Sequence, residues 1–244
     1  MWNAALWGGI SGSAVLLGAL AAMFLSIKKR YIGFIMAFGT GVLIGATTYE
    51  LLEESVESGG IVSTSIGFLC GAILFTIMDG IITRKGANDR KRSSQNAESS
   101  NQSGIAIFIG TVMDAIPESI MIGASLISQN SVSFLLVVAI FISNIPEGLS
   151  STVGLIKSKY TKKKILFLWI AVLAISALSS LSGYVFLDHA SEELMAGIAA
   201  FAGGGIIAMV GSTMLPEAFE EGGSITGLIT ALGLLTSLLL NTFS

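Results

Sequence analysis

Apolar residues in this chain fall in long runs separated by short polar stretches, and the length of the runs sets the architecture. A helix needs roughly 20 apolar residues to cross the hydrocarbon core of a bilayer. Sliding that requirement along the sequence predicts eight spans, near 4–27, 31–52, 60–83, 104–128, 131–156, 164–187, 194–215 and 223–242. The fold class that follows is an all-α polytopic membrane protein with eight transmembrane helices. Arg84 to Ser103, RKGANDRKRSSQNAESSNQS, is the long polar exception. Its composition predicts a disordered loop over 84–103, between a block of three helices in 1–83 and a block of five in 104–244.

Charge adds orientation. All 13 Lys and Arg residues lie in three clusters, at 28–30, at 84–92 and at 157–164, after the first, third and fifth spans. With both termini outside, every one of them faces the cytoplasm, as the positive-inside rule requires. The expected location is therefore the cell membrane, multi-pass, with the Lys/Arg-rich loops cytoplasmic. The opposite loops are acidic or short and include Glu53, Glu54, Glu57, Asp188, Glu192 and Glu193. Positive charge follows the first apolar run instead of preceding it, the reverse of a secretory signal peptide, so that run is expected to stay as a spanning helix.

Composition agrees with a bilayer protein. Hydrophobic residues make up 52% of the chain and charged residues only 12%, about half the usual share in soluble domains. No nucleic-acid partner is expected. The single cysteine, Cys70, excludes an internal disulfide or a Cys-rich metal site, and its apolar surroundings predict a buried packing residue. Glycines recur four apart at Gly8 and Gly12, Gly41 and Gly45, Gly67 and Gly71, and Gly223 and Gly227, a spacing that lets helix backbones approach closely. The second span, GTGVLIGATTYELLEES, and the seventh, GGGIIAMVGSTMLPEAFEE, echo one another while running in opposite directions, which predicts an inverted-repeat bundle.

The residues that carry chemistry are those an apolar span should not contain. The fourth and fifth spans each hold an Ile-Pro-Glu tripeptide at mid-length, with Pro117 before Glu118 and Pro146 before Glu147. Each proline removes a helical donor, so a bend is expected at both places, with the carbonyls of Met113 and Ile142 freed and the backbone opened. Asp114 lies four residues before Glu118, and Ser143 four before Glu147 with Asn144 three before it, so each set shares one helix face. The short connection at 128–131 makes the two spans antiparallel neighbours, which brings these oxygens to similar depth. No Lys or Arg lies within the spans to neutralise the acids, which leaves protons, water or bound cations. Three readings stay open on that basis: a cation site, protonated acids acting as interhelical hydrogen-bond glue, and a proton relay in a carrier of another solute.

These segments resemble the ZIP (Zrt/Irt-like) family of divalent metal transporters. The resemblance rests on eight spans, both ends outside, a variable loop after the third span, and paired His-Asn-x-Pro-Glu-Gly-like motifs in the fourth and fifth. Here those motifs read Asp114-Ala115-Ile116-Pro117-Glu118-Ser119 and Ser143-Asn144-Ile145-Pro146-Glu147-Gly148. The resemblance implies Glu118, Glu147 and Asn144 as metal ligands, with Asp114 where the family's fourth helix usually has histidine and Ser143 where the fifth often has His or Gln. It also implies uptake into the cytoplasm by an elevator-like movement of a group containing the fourth and fifth helices, often in a homodimer. No cofactor is expected beyond the transported ion, Zn²⁺, Mn²⁺ or Fe²⁺. Carboxylate and amide oxygens in place of imidazole tilt the site toward harder cations.

Other candidates carry less. His189, the only histidine, sits with Asp188 and Glu192 in an external loop, where solvation is the plainer reading. Asp79 is placed to pair with Arg84, and Glu217, Glu220 and Glu221 read as the solvated end of the seventh span, with a metal exit as the alternative. An enzyme is not expected: an aspartyl intramembrane protease would need Gly-x-Gly-Asp, and neither that nor a His-Glu-x-x-His zinc motif is present. A non-transporting scaffold or metal-binding protein is the remaining rival.

Overall fold

The computed structural model describes residues 1–25, 27–83, 101–128 and 132–242, and among them there is helix and no strand. The helices are α1 (Trp2–Phe24), α2 (Lys29–Ala46), α3 (Glu54–Ile82), α4 (Asn101–Ser128), α5 (Phe134–Lys157), α6 (Lys162–Leu187), α7 (Glu192–Met209), α8 (Leu215–Gly222) and α9 (Thr226–Asn241). The expected loop over 84–103 and the Asp79–Arg84 pair fall largely outside the described residues. Local chemistry starts several helices. Ser133, Thr161 and Ser191 stand just ahead of α5, α6 and α7, and each side chain accepts a hydrogen bond from the backbone N–H three residues on.

Six helical stretches among the described residues are long and apolar enough to cross a membrane. Two of them, Lys29–Ile82 and Glu192–Asn241, reach 54 and 50 residues. A straight helix of 50 residues would be about 75 Å long, far beyond the roughly 30 Å hydrocarbon core. Both stretches are interrupted in the same way. A π-helical segment, Thr47–Glu53 in one and Val210–Met214 in the other, precedes a glycine with φ of 74°, Gly60 and Gly223. Only glycine takes that backbone conformation at little cost, so these are the points where each stretch turns.

The helices pack in two groups. In the first, α1 lies along α5 and α6, and α4 along α6. In the second, α3 lies along α7, and α2 along α9 and α8. Glycine makes the close approaches inside each group. A Cβ built on Gly148 of α5 would overlap the carbonyl oxygen of Val15 in α1, and one on Gly123 of α4 that of Ser180 in α6. In the second group the same overlap occurs between Gly71 of α3 and Phe201, and between Gly41 of α2 and Thr230. Gly223 and Gly227, expected to pack, do not: a Cβ on either meets nothing within 4 Å, and Gly223 serves the turn.

Contact between the groups runs chiefly through α2 and α5, where a Cβ on Gly39 would sit 3.0 Å from Cα of Ser143. The apolar core follows the same division. Val15, Leu155, Ile165 and Trp169 belong to a cluster inside the first group, while Met36, Leu43, Ile206 and Met209 join Ile122, Leu136 and Ile140 in one that spans both. Outward faces are apolar too. Ile66, Leu69, Ile73 and Ile77 form a stripe along α3, each more than half exposed, as suits a helix facing lipid chains. Cys70 is exposed beside that stripe and is not the buried packing residue its neighbours suggested, because an apolar neighbourhood in a membrane helix marks the lipid side as readily as the core.

Candidate metal site

On α4 the polar residues Thr111, Asp114, Glu118, Ser119 and Ser125 are buried, with Thr111, Asp114 and Glu118 at successive intervals of three and four. This is a polar stripe inside an apolar helix. On α5, Ser143, Asn144, Glu147, Ser150, Ser151 and Thr152 are buried as well. Asp114 is 4% exposed, Glu118 2%, Asn144 4%, Glu147 2% and Ser143 2%, so every residue expected at the site is withdrawn into the protein.

The two helices stay continuous at their prolines. Helix continues through Pro117 in α4 and through Pro146 in α5. Each removes its own donor, but the flanking turns keep the helical path through the site. Departure from α-helix is found instead in the π-segments Thr47–Glu53 and Val210–Met214 of the other group.

Hydrogen bonds fix much of the α5 face. Ser143 Oγ donates to the carbonyl of Ile140 at 3.0 Å, which leaves its lone pairs available as an acceptor. Trp169 Nε1 in α6 donates to Thr152 Oγ1 at 2.8 Å. Asp114, Glu118 and Glu147 all interact with their surroundings. One oxygen of each, Asp114 Oδ1, Glu118 Oε2 and Glu147 Oε1, is nevertheless buried and accepts no hydrogen bond. Among the described residues no group of three or more His, Cys, Asp or Glu side chains is arranged to hold a metal ion. The burial of the five expected residues is therefore plain, while a cage of three acids is not formed in this state.

Two residues join the polar face that the motifs did not indicate. Thr111 Oγ1 is buried without a hydrogen bond one turn before Asp114. Glu217, read from the sequence as a solvated helix end, is 1% exposed and accepts a hydrogen bond from Ser150 Oγ of α5. The signal for Glu217 was present: all three prolines of the chain are followed by glutamate, and Pro216-Glu217 is the third such pair. The seventh span continues past its expected end at 215 into α8, which carries Glu217 inward and leaves Glu220 exposed.

At the end of the molecule away from the lysine clusters, a cavity of about 280 Å³ opens between the groups. Glu50, Glu54, Asp188 and Glu192 line it, with Met121 and Ser125 of α4 at its floor side. Asp188 and Glu192 thus border the cavity as a pair, whereas His189 is exposed and is not part of the lining. Buried polar residues flank the acids toward both ends: Ser125 of α4 lines this cavity, and Ser150 of α5 meets Glu217 near the basic end.

A bundle of long apolar helices with buried acids on adjoining faces is a polytopic membrane protein with a polar interior. The model of the ZIP zinc transporter family matches residues 85–240, more than half of the chain, and the chain belongs to that family. Among curated proteins none matches it. Membership places the chain among transporters of divalent metal ions, which act without a cofactor, and not among enzymes. The matched region contains Pro117-Glu118, Pro146-Glu147 and Pro216-Glu217 alike.

Proposed function

We propose that the protein carries a divalent metal ion into the cytoplasm, with Asp114, Glu118, Asn144 and Glu147 as ligands and Ser143 as a further oxygen donor. The observation that carries this reading is the withdrawal of Asp114, Glu118 and Glu147 to 4% exposure or less in helices whose one Lys or Arg, Lys157, lies at the very end of α5. Carboxylates so placed favour a positive guest. Because three acids do not surround one point, the donor set is mixed: carboxylate, amide and hydroxyl oxygens, with water completing the shell.

Such oxygens suit Mn²⁺, Fe²⁺ and similar ions, and zinc binds carboxylates as well. The acidic cavity is the entrance in this reading, and the lysine-rich end faces the cytoplasm. In this reading each of the two longest stretches turns at its glycine, Gly60 or Gly223, and crosses twice, for eight spans, and the lysine and arginine distribution favours both termini outside. The shared order of π-segment, positive-φ glycine and following helix, together with the matched pairings of α3 with α7 and α9 with α2, supports an inverted repeat. The helix group containing α4 and α5 is the part that moves.

Uptake of Zn²⁺ and Mn²⁺ into proteoliposomes tests the function directly. Loss of uptake in Glu118→Ala and Glu147→Ala, with the variants still folded, supports the site, and undiminished uptake in both overturns it.

A further inference from the structure

We propose that the hydrogen bond from Ser150 to Glu217 is a releasable tie between the two helix groups, which makes Glu217 a positioning residue for Glu147. This rests on the reading of the chain as a two-group carrier. Ser150 belongs to α5 in the first group, Glu217 to α8 in the second, and the bond joins them at the basic end. Several interhelical bonds, by contrast, lie inside one group. Trp169 to Thr152, Ser180 to the carbonyl of Ala4 and Lys162 to that of Met23 lie within the first, and Ser63 to the carbonyl of Glu193 and Lys29 to Glu221 within the second.

Both ends of the tie are held firmly. Glu217 is set in the first turn of α8, Thr226 Oγ1 donates to the carbonyl of Ala218 at 3.1 Å, and Gly33 of α2 packs against the backbone N of Gly222. On the other side, Ser150 follows Glu147 by three residues, one turn along the same face and about 4.5 Å nearer the basic end. Whatever fixes Ser150 fixes the rotation of α5, and with it the direction of the Glu147 carboxylate.

The nature of the contact suits release. Inside the groups, glycine brings backbone onto backbone, and nothing in such packing can part without disassembling the pair. Across the boundary, Gly39 keeps its neighbour Ser143 farther off, and Ser150 meets Glu217 through a side-chain hydrogen bond. The state described is open into the acidic cavity, while α5 is buried through Leu155 at the basic end. The tie therefore holds the basic end closed, and its release favours the opposite state.

The test follows the opening of the cavity without any metal. In a Cys70→Ala background, Met195→Cys places a single thiol in the cavity lining, to be labelled with a membrane-impermeant maleimide. Ser150→Ala and Glu217→Ala are each expected to slow labelling at least threefold, and the double variant no further. Glu217→Gln, which keeps an acceptor for the same hydroxyl, is expected to label within twofold of the parent. Unchanged labelling in both alanine variants, additive slowing in the double variant, or slowing in Glu217→Gln equal to that in Glu217→Ala would overturn the tie. Equilibrium binding of Mn²⁺ and Zn²⁺ to Glu147→Gln is measured alongside. Its loss with unchanged labelling defeats the tie alone, and its retention defeats the site reading whatever the labelling shows.

Discussion

A carboxylate at mid-bilayer costs about 2.5–3.5 kcal/mol on insertion scales, and α4 and α5 carry three. Asp114, Glu118 and Glu147 share that cost but differ in what they do if the site is as proposed. Glu118 and Glu147 follow the two prolines and supply one carboxylate from each helix. Truncating either should reduce uptake of Mn²⁺ and Zn²⁺ at least tenfold, read as initial rates in proteoliposomes. Asp114 decides preference instead. Asp114→His introduces imidazole, a donor that zinc favours and manganese does not. The ratio of Zn²⁺ to Mn²⁺ uptake should rise about tenfold, equivalent to about 1.4 kcal/mol of differential binding. A ratio that stays level in a competition assay would remove Asp114 from the ligand set.

Elements are held together by small residues, and the consequences differ from one glycine to the next. A Cβ on Gly71 would collide with the backbone of Phe201, so Gly71→Ala forces α3 away from α7 and should cost about 1–3 kcal/mol. Gly80, farther along the same helix, meets nothing within 4 Å. There alanine only removes backbone freedom, and Gly80→Ala should hold or raise stability by up to about 1 kcal/mol. Thermal unfolding in detergent distinguishes the two: the midpoint falls for Gly71→Ala and does not fall for Gly80→Ala. The contrast also marks what the sequence could reveal. Hydropathy placed the helices within a few residues, and four-residue spacing pointed to Gly8, Gly12, Gly41, Gly45, Gly67 and Gly71 as contact positions. It could not tell them from Gly227, because spacing encodes the approach and not the partner. Pairing among helices of nearly uniform composition is decided by shape, which emerges only once Phe201 or Thr230 stands opposite. Glu217 shows the converse: Pro216-Glu217 repeats the pairs of α4 and α5, but hydropathy alone ends the seventh span at 215, because the acidic residues beyond it lower the apolar average while the helix continues into α8.

The division into two groups makes a claim about the whole molecule that cross-linking can reach. Within the first group, a Cβ built on Gly9 of α1 lies 3.8 Å from the Cβ of Ala177 in α6. That separation is about the mean found in disulfides. Cys70, the native thiol, is exposed toward the lipid side and can be replaced by alanine with little loss of packing. In that background Gly9→Cys with Ala177→Cys should cross-link on oxidation. Because α1 and α6 travel together in the proposed movement, the bond imposes no restraint on it, and uptake should remain within twofold of the reduced protein. A fall on oxidation that a reductant reverses would place relative motion between α1 and α6. The boundary would then run through the first group, and the buried acids of α4 and α5 would have to move against one of the helices that enclose them.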